Sequence, residues 1–129
     1  MSGNSFLIDT NILIYSTQDR LTIDDFVKDE DVLYISSITY IEVFGFPFQN
    51  KGEEDSVTFL CSKIERLFLT EEVEKQTILI RKANKIKLPD AIIAATAMVY
   101  NLTLVTCNID DFKNIKGLKL LQPLLKENR

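Results

Sequence analysis

The sequence predicts an α/β fold built on a central parallel sheet, and three observations carry that prediction. Short strand-like runs alternate with helix-like segments along the whole chain. The apolar run at 6–8 (FLI) stops at Asp9, as a buried parallel strand does when a polar residue stands at its carboxyl end. A second clear run, LTLVT at 102–106, comes late in the chain, and strands spaced by helices pair in parallel through crossover connections.

Each element follows from its residues. After strand 6–8, residues 11–15 have helical character, and the acidic segment 21–31 is helix-like. VLYIS at 32–36 is rich in strand formers. Helical spacing returns at 38–44 until Gly45 and Pro47 break it. Residues 53–66 place Val57, Leu60 and Ile64 on one helical face, and 67–69 is a weak third strand. Segment 71–85 has acids first and bases last, matching the helix macrodipole. Pro89 and Asp90 open an alanine-rich helix running to about Asn101. After strand 102–106, residues 108–112 make a helical turn and 118–121 a last strand. With 129 residues, 46% hydrophobic and 26% charged, and with no repeat, linker or low-complexity segment, the expectation is a single domain over 1–129.

Composition excludes several chemistries. The chain has no histidine, which removes the Ser/His/Asp triad, the Cys/His pair and imidazole acid-base catalysis. Two cysteines far apart, Cys61 and Cys107, cannot make an ordinary zinc site, so catalysis falls to carboxylates, hydroxyls, lysines or a hard metal ion. No leader pattern opens the sequence, and the expectation is a cytoplasmic protein with reduced thiols. The uncharged stretch 91–109 is interrupted by Thr96, Asn101, Thr103, Thr106 and Asn108, so no membrane span is expected.

Charge is unevenly distributed. Residues 1–62 carry 3 basic and 11 acidic side chains, while 63–129 carry 12 basic and 8 acidic. One reading is ordinary solvated helix faces. The other is acids gathered around a cation, with Arg81, Lys82, Lys85 and Lys87 as a basic strip for a polyanion.

Asp9, Asp90, Asp110 and Asp111 sit at junctions between apolar elements and turns, and Glu42 lies within an otherwise apolar helix. Taken singly, Asp9 and Asp90 read as helix caps, Asn108 with Asp111 as a cap and its returning acid, and Glu42 as an exposed stripe. If the first strand lies beside the fourth, however, Asp9 and the 108–111 turn emerge together at the carboxyl edge of the sheet, where open parallel sheets bind ligands. Two carboxylates about 6 Å apart repel by about 3 kcal/mol at an effective dielectric of 20, so a cluster of four calls for protons or divalent cations. Oxygen-only ligands favour Mg2+ or Mn2+, and two such ions can activate water and stabilise the leaving oxygen of a phosphodiester.

Four segments in order, FLIDTNILIY (6–15), ISSITYIEVF (35–44), KLPDAIIAATA (87–97) and LVTCNIDDF (104–112), resemble the PIN-domain ribonucleases, and among them the VapC-like toxins of toxin-antitoxin pairs. The resemblance implies a three-layer α/β/α fold with a parallel sheet ordered 3-2-1-4-5 and metal-dependent cleavage of RNA. It places the family's acidic quartet, both catalytic and metal-holding, on Asp9, Glu42, Asp90 and Asp111. Asn11, Thr106 and Asn108 fall on supporting positions, and Asp110 competes with Asp111 for the fourth acid. Cys107 stands where relatives often carry a larger polar or basic residue.

The resemblance further implies an RNA substrate, a VapB-like antitoxin and a homodimer. Phe44, Phe46 and Phe48 crowd beside Gly45 and Pro47, which suggests an apolar patch for a partner. Alternative readings are a PIN-type RNA-processing nuclease without an antitoxin and a non-catalytic binding module. A phosphoacceptor receiver domain fits poorly, because Asp9 is followed by Thr10 and Asn11 rather than by a second acid.

Overall fold

The computed structural model describes residues 3–126. Strands β1 (Ser5–Ile8), β2 (Val32–Ser36), β3 (Glu65–Leu67), β4 (Thr103–Val105) and β5 (Lys119–Leu121) pair in parallel in the order β3-β2-β1-β4-β5. This is the order implied by the resemblance. Helices α1 (Thr10–Thr17), α2 (Ser37–Phe44), α3 (Lys51–Cys61), α4 (Glu71–Ala83), α5 (Leu88–Val99) and α6 (Ile109–Phe112) surround the sheet.

Alternation along the strands makes two cores. Leu7 and Leu104 face a layer containing Val73 and Ile80 of α4 and the alanines of α5. Phe6, Ile8, Ile35 and Val105 face the other layer, with Ile12 and Leu13 of α1, Val43 of α2 and Val57 of α3. The result is a three-layer α/β/α sandwich. Ala91, Ala94, Ala95 and Ala97 are fully buried, so α5 is apolar almost all round and fills the space between α4 and the sheet. Among the described residues no helix is long and apolar enough to cross a membrane.

Two expectations need correction. Segment 21–31 is not a helix: among its residues only Ile23–Asp25 form a 3-10 turn, and Leu21 is buried while Asp24 and Asp25 stay outside. The helix drawn over 53–66 ends at Cys61, where the Ser62 amide bonds back to Thr58 and Leu60 carbonyls. Ile64 kept the apolar spacing because it is buried in the α1/α3 core, but it does so from the approach to β3. The third strand accordingly begins at Glu65, two residues before the expected 67–69, with Ile35 paired to Arg66 and Ser36 to Leu67.

Helix α5 ends in a C-terminal motif that aims β4. Asn101 adopts φ 56, its N–H bonds to the Met98 carbonyl, and the Leu102 N–H bonds to the Ala97 carbonyl. β4 then runs beside β1, pairing Phe6 with Thr103, Leu7 with Leu104 and Ile8 with Val105. Strand order reverses at this pair, so the carboxyl ends of β1 and β4 flank the switch-point crevice.

Candidate active site

Asp9 leaves β1 at the floor of that crevice and is only 4% exposed. Its amide bonds to the Val105 carbonyl at 3.0 Å, which fixes its height against β4. One carboxylate oxygen accepts from the Thr10 amide at 2.7 Å, capping α1, so the capping role is real. The other oxygen accepts from the Thr106 hydroxyl at 2.7 Å and from Asn11 Nδ2 at 3.3 Å. Asn11 Oδ1 in turn accepts from the Cys107 amide at 3.2 Å, and Thr106 Oγ1 accepts from the Asn108 amide at 3.0 Å. Asp9, Asn11, Thr106 and Asn108 thus form one polar knot tying the ends of β1 and β4 together. Cys107 lies half-buried at its edge.

Glu42 reaches the same rim from α2. It is exposed, and the Thr10 hydroxyl donates to its Oε1 at 2.6 Å. Thr10 Oγ1 also lies 3.2 Å from the hydroxyl of buried Thr39. Ser36 accepts from the Thr39 amide and caps α2, which sets the direction in which that helix leaves β2.

Asp90 stands in the first turn of α5 but does not cap it. Lys87 is the capping position, and it makes no side-chain capping bond. Asn108 likewise makes no side-chain capping bond to α6; the turn is closed by the Asp111 amide on the Asn108 carbonyl. A cleft of about 670 Å³ opens here, its lining including the acids Asp90, Asp110 and Asp111 and the bases Arg81, Lys85 and Lys87. Three of the four expected basic residues therefore share a cleft with the acids. Lys82 lies outside it. Asp110 is paired with Lys113 at 3.0 Å, whereas Asp111 is among the charges that act on Asp90.

Two of the carboxylates, Asp9 and Asp90, are perturbed. Burial, with smaller contributions from Asp90 and Glu42, pushes the Asp9 carboxyl up to about 6 against the pull of its Thr106 and Thr10 hydrogen bonds. Burial also raises Asp90, helped by Asp111 and Glu42 and opposed by Lys87. Four acids from four elements, α1's cap, α2, α5 and α6, are thus coupled through space. Among the described residues no three such side chains already form a metal cage. The donor set still fits a hard cation: it is all oxygen, its mutual repulsion is relieved by positive charge, and Mg2+ typically keeps several waters and takes only one or two carboxylates.

A family model for the PIN domain matches residues 6–118. The chain belongs to the PIN-domain family. Among solved structures this PIN domain is similar to VapBC2 from Rickettsia felis bound to a DNA fragment from their promoter, with TM-score 0.80, 23% identity, and coverage of 92% of this chain and 98% of that one. It is also similar to a toxin-antitoxin complex from Klebsiella pneumoniae, with TM-score 0.72, 31% identity, and coverage of 89% and 94%. VapBC-1 from nontypeable Haemophilus influenzae gives 0.71, 25%, and coverage of 92% and 97%. No curated protein sequence matches it.

Two residues of this site escaped sequence reasoning. Thr10 bonds Glu42 and Thr39 bonds Thr10, yet both threonines read as ordinary helix residues. The available signal was position: Thr10 opens α1 directly after Asp9, so its hydroxyl had to lie at the sheet edge.

Proposed function

We propose that this PIN domain, taken as one domain over 1–129, is a Mg2+- or Mn2+-dependent endoribonuclease and the toxin of a type II toxin-antitoxin pair. The observation that carries the nuclease reading is the coupled quartet Asp9, Glu42, Asp90 and Asp111 at the β1/β4 switch point. The toxin reading is supported by the likeness to toxin-antitoxin complexes, and it brings with it a VapB-like antitoxin, a homodimer and a cytoplasmic location.

Asp9 and Asp90 are the primary metal-holding residues, because both are buried or half-buried and both are raised by that burial with help from neighbouring carboxylates. Glu42, oriented by Thr10, and Asp111 complete the set; Asp110 is engaged by Lys113 and serves as support. Bound cations would supply activation of water and charge neutralisation at the phosphodiester. The chain's own contribution is to fix Asp9 through Thr106 and Asn11, to keep its carboxylate shielded from bulk water, and to hold the RNA backbone with Arg81, Lys85 and Lys87 in the cleft.

Titration of the purified protein with Mn2+ tests the site. Stabilisation on metal addition, lost in Asp90→Asn, is the expected result, since metal binds only the folded arrangement. An unchanged melting temperature at saturating Mn2+ would remove the metal from this account. For the toxin reading, expression of the chain alone should arrest growth, and co-expression of the adjacent small gene should relieve the arrest.

A further inference from the structure

The acid-lined cleft does not end at Asp111. A second trough of about 410 Å³ continues from it, and the two share Asn84, Asn114 and Ile115. It runs between α4 and the loop after α6, with Ile80, Ala83, Met98 and Ile115 among its lining and Lys116 at its margin.

The two halves differ in chemistry. The first carries carboxylates and cations, which suits phosphate and metal. The second is lined by no carboxylate, and three side-chain amides, Gln76, Asn84 and Asn114, edge its apolar walls. Asn84 Nδ2 donates to the Ile80 carbonyl at 3.0 Å, which fixes the amide plane, and among the described residues nothing donates to its Oδ1. Asn114 is exposed, and its amide makes no hydrogen bond among the described residues. Gln76 makes only a 3.8 Å contact to Met98 Sδ. Amides present a donor and an acceptor side by side, as the edge of an unpaired base requires, while apolar walls receive its faces. Met98 lies eight residues along α5 from Asp90, about 12 Å at 1.5 Å per residue, so the trough serves a nucleotide displaced from the scissile phosphate.

We propose that this trough is a base-reading pocket that holds one unpaired nucleobase of the RNA, with Asn84 and Asn114 as its specificity-determining residues. The inference rests on the RNA-cleaving reading of the adjoining cleft and extends it to sequence preference.

The test is binding of the full chain, with Ca2+ present, to four RNA homopolymers of equal length, whose backbone charge is identical. Wild type is expected to separate the best from the worst homopolymer by about tenfold. Asn114→Ala should bring them within about twofold of one another, and Asn84→Ala should do the same. Mn2+ affinity should stay as in wild type in both. Asn84 supports the end of α4, so its variant is paired with a melting curve, and exposed Asn114 carries the test if the first unfolds. Wild type that binds all four equally, or variants that keep the discrimination, would overturn the pocket while leaving the nuclease reading intact. Wild type that binds no RNA would overturn both readings.

Discussion

Asp9 contains the conflict that defines the site: it is the most buried acid of the quartet and also the most tightly hydrogen-bonded. Its folded carboxyl titrates near 6, above its ordinary 3.8. The folded state therefore holds the proton longer than the unfolded chain does. Its contribution to stability is fully present below about pH 4, falls as pH rises through 6, and becomes a constant penalty of about 3 kcal/mol above that. In EDTA at pH 8, Asp9→Asn should consequently melt higher than wild type, with the gain reduced by the imperfect match of an amide to Thr106 and Asn11. At pH 4 the gain should vanish. A variant less stable than wild type at both pH values would mean that Asp9 is held chiefly by its hydrogen bonds and carries no electrostatic penalty.

Thr10 gives a second prediction at the same scale. Its hydroxyl is the contact that orients exposed Glu42, so Thr10→Val should weaken Mn2+ binding by about 10-fold or more, with a lower metal-free melting temperature as well because buried Thr39 loses its hydroxyl partner. Thr10→Ser should restore the affinity. The acids at these positions were legible in the sequence because each interrupts an apolar run at an element boundary. The threonines were not, because a hydroxyl on a helix is unremarkable until the opposing element is known.

At the scale of elements, the strands and most helices could be read directly, since short runs of apolar strand formers differ from helical spacing and α4 carries its charges in dipole order. The reading failed in two places: Ile64 extended the pattern of α3 although it packs from the approach to β3, and the acidic segment 21–31, expected to be helix-like, only turns at Ile23–Asp25. The basic strip was visible as a run but not as a surface. α4 ends at Ala83; Arg81 in its last turn and Lys85 and Lys87 beyond it share the acid cleft while Lys82 does not. Serine at the first three should weaken RNA binding and lower its salt slope by about 0.7 per lost phosphate contact, whereas Lys82→Ser should leave both near wild type. Equal effects from all four would mean general charge attraction rather than a track.

The aromatic cluster also sorts differently from expectation. Phe48 packs on the core and Phe46 stacks edge-on against it at 5.0 Å, whereas Phe44, the third ring of the expected patch, is exposed on α2 beside Tyr40 and Ile41, with Ile41 65% exposed. Arg66 covers the Tyr40 ring at 3.9 Å. Aromatic and arginine side chains are the usual anchors of protein interfaces. Ile41→Ser and Phe44→Ser should therefore weaken rescue by the antitoxin more than they weaken toxicity, and more than Phe46→Ala or Phe48→Ala does. Intact rescue in both serine variants would place the antitoxin elsewhere.

For the whole molecule, a chain without histidine places its reactive groups where parallel topology is most exposed to ligand, at the one reversal of strand order. The acidic first half supplies Asp9 and Glu42, and the more basic second half supplies Asp90, Asp111 and the cations that share their cleft. The acid-and-base cleft itself is built by the second half alone, and Asp9 and Glu42 are coupled to it through Asp90. The central claim is that this cleft cuts RNA with metal, and the direct measurement is cleavage of total RNA by purified protein in Mn2+, in EDTA, and by Asp9→Asn in Mn2+. The account predicts cleavage only for wild type with Mn2+, and cutting in EDTA or by the folded Asp9→Asn protein at the wild-type rate would contradict it.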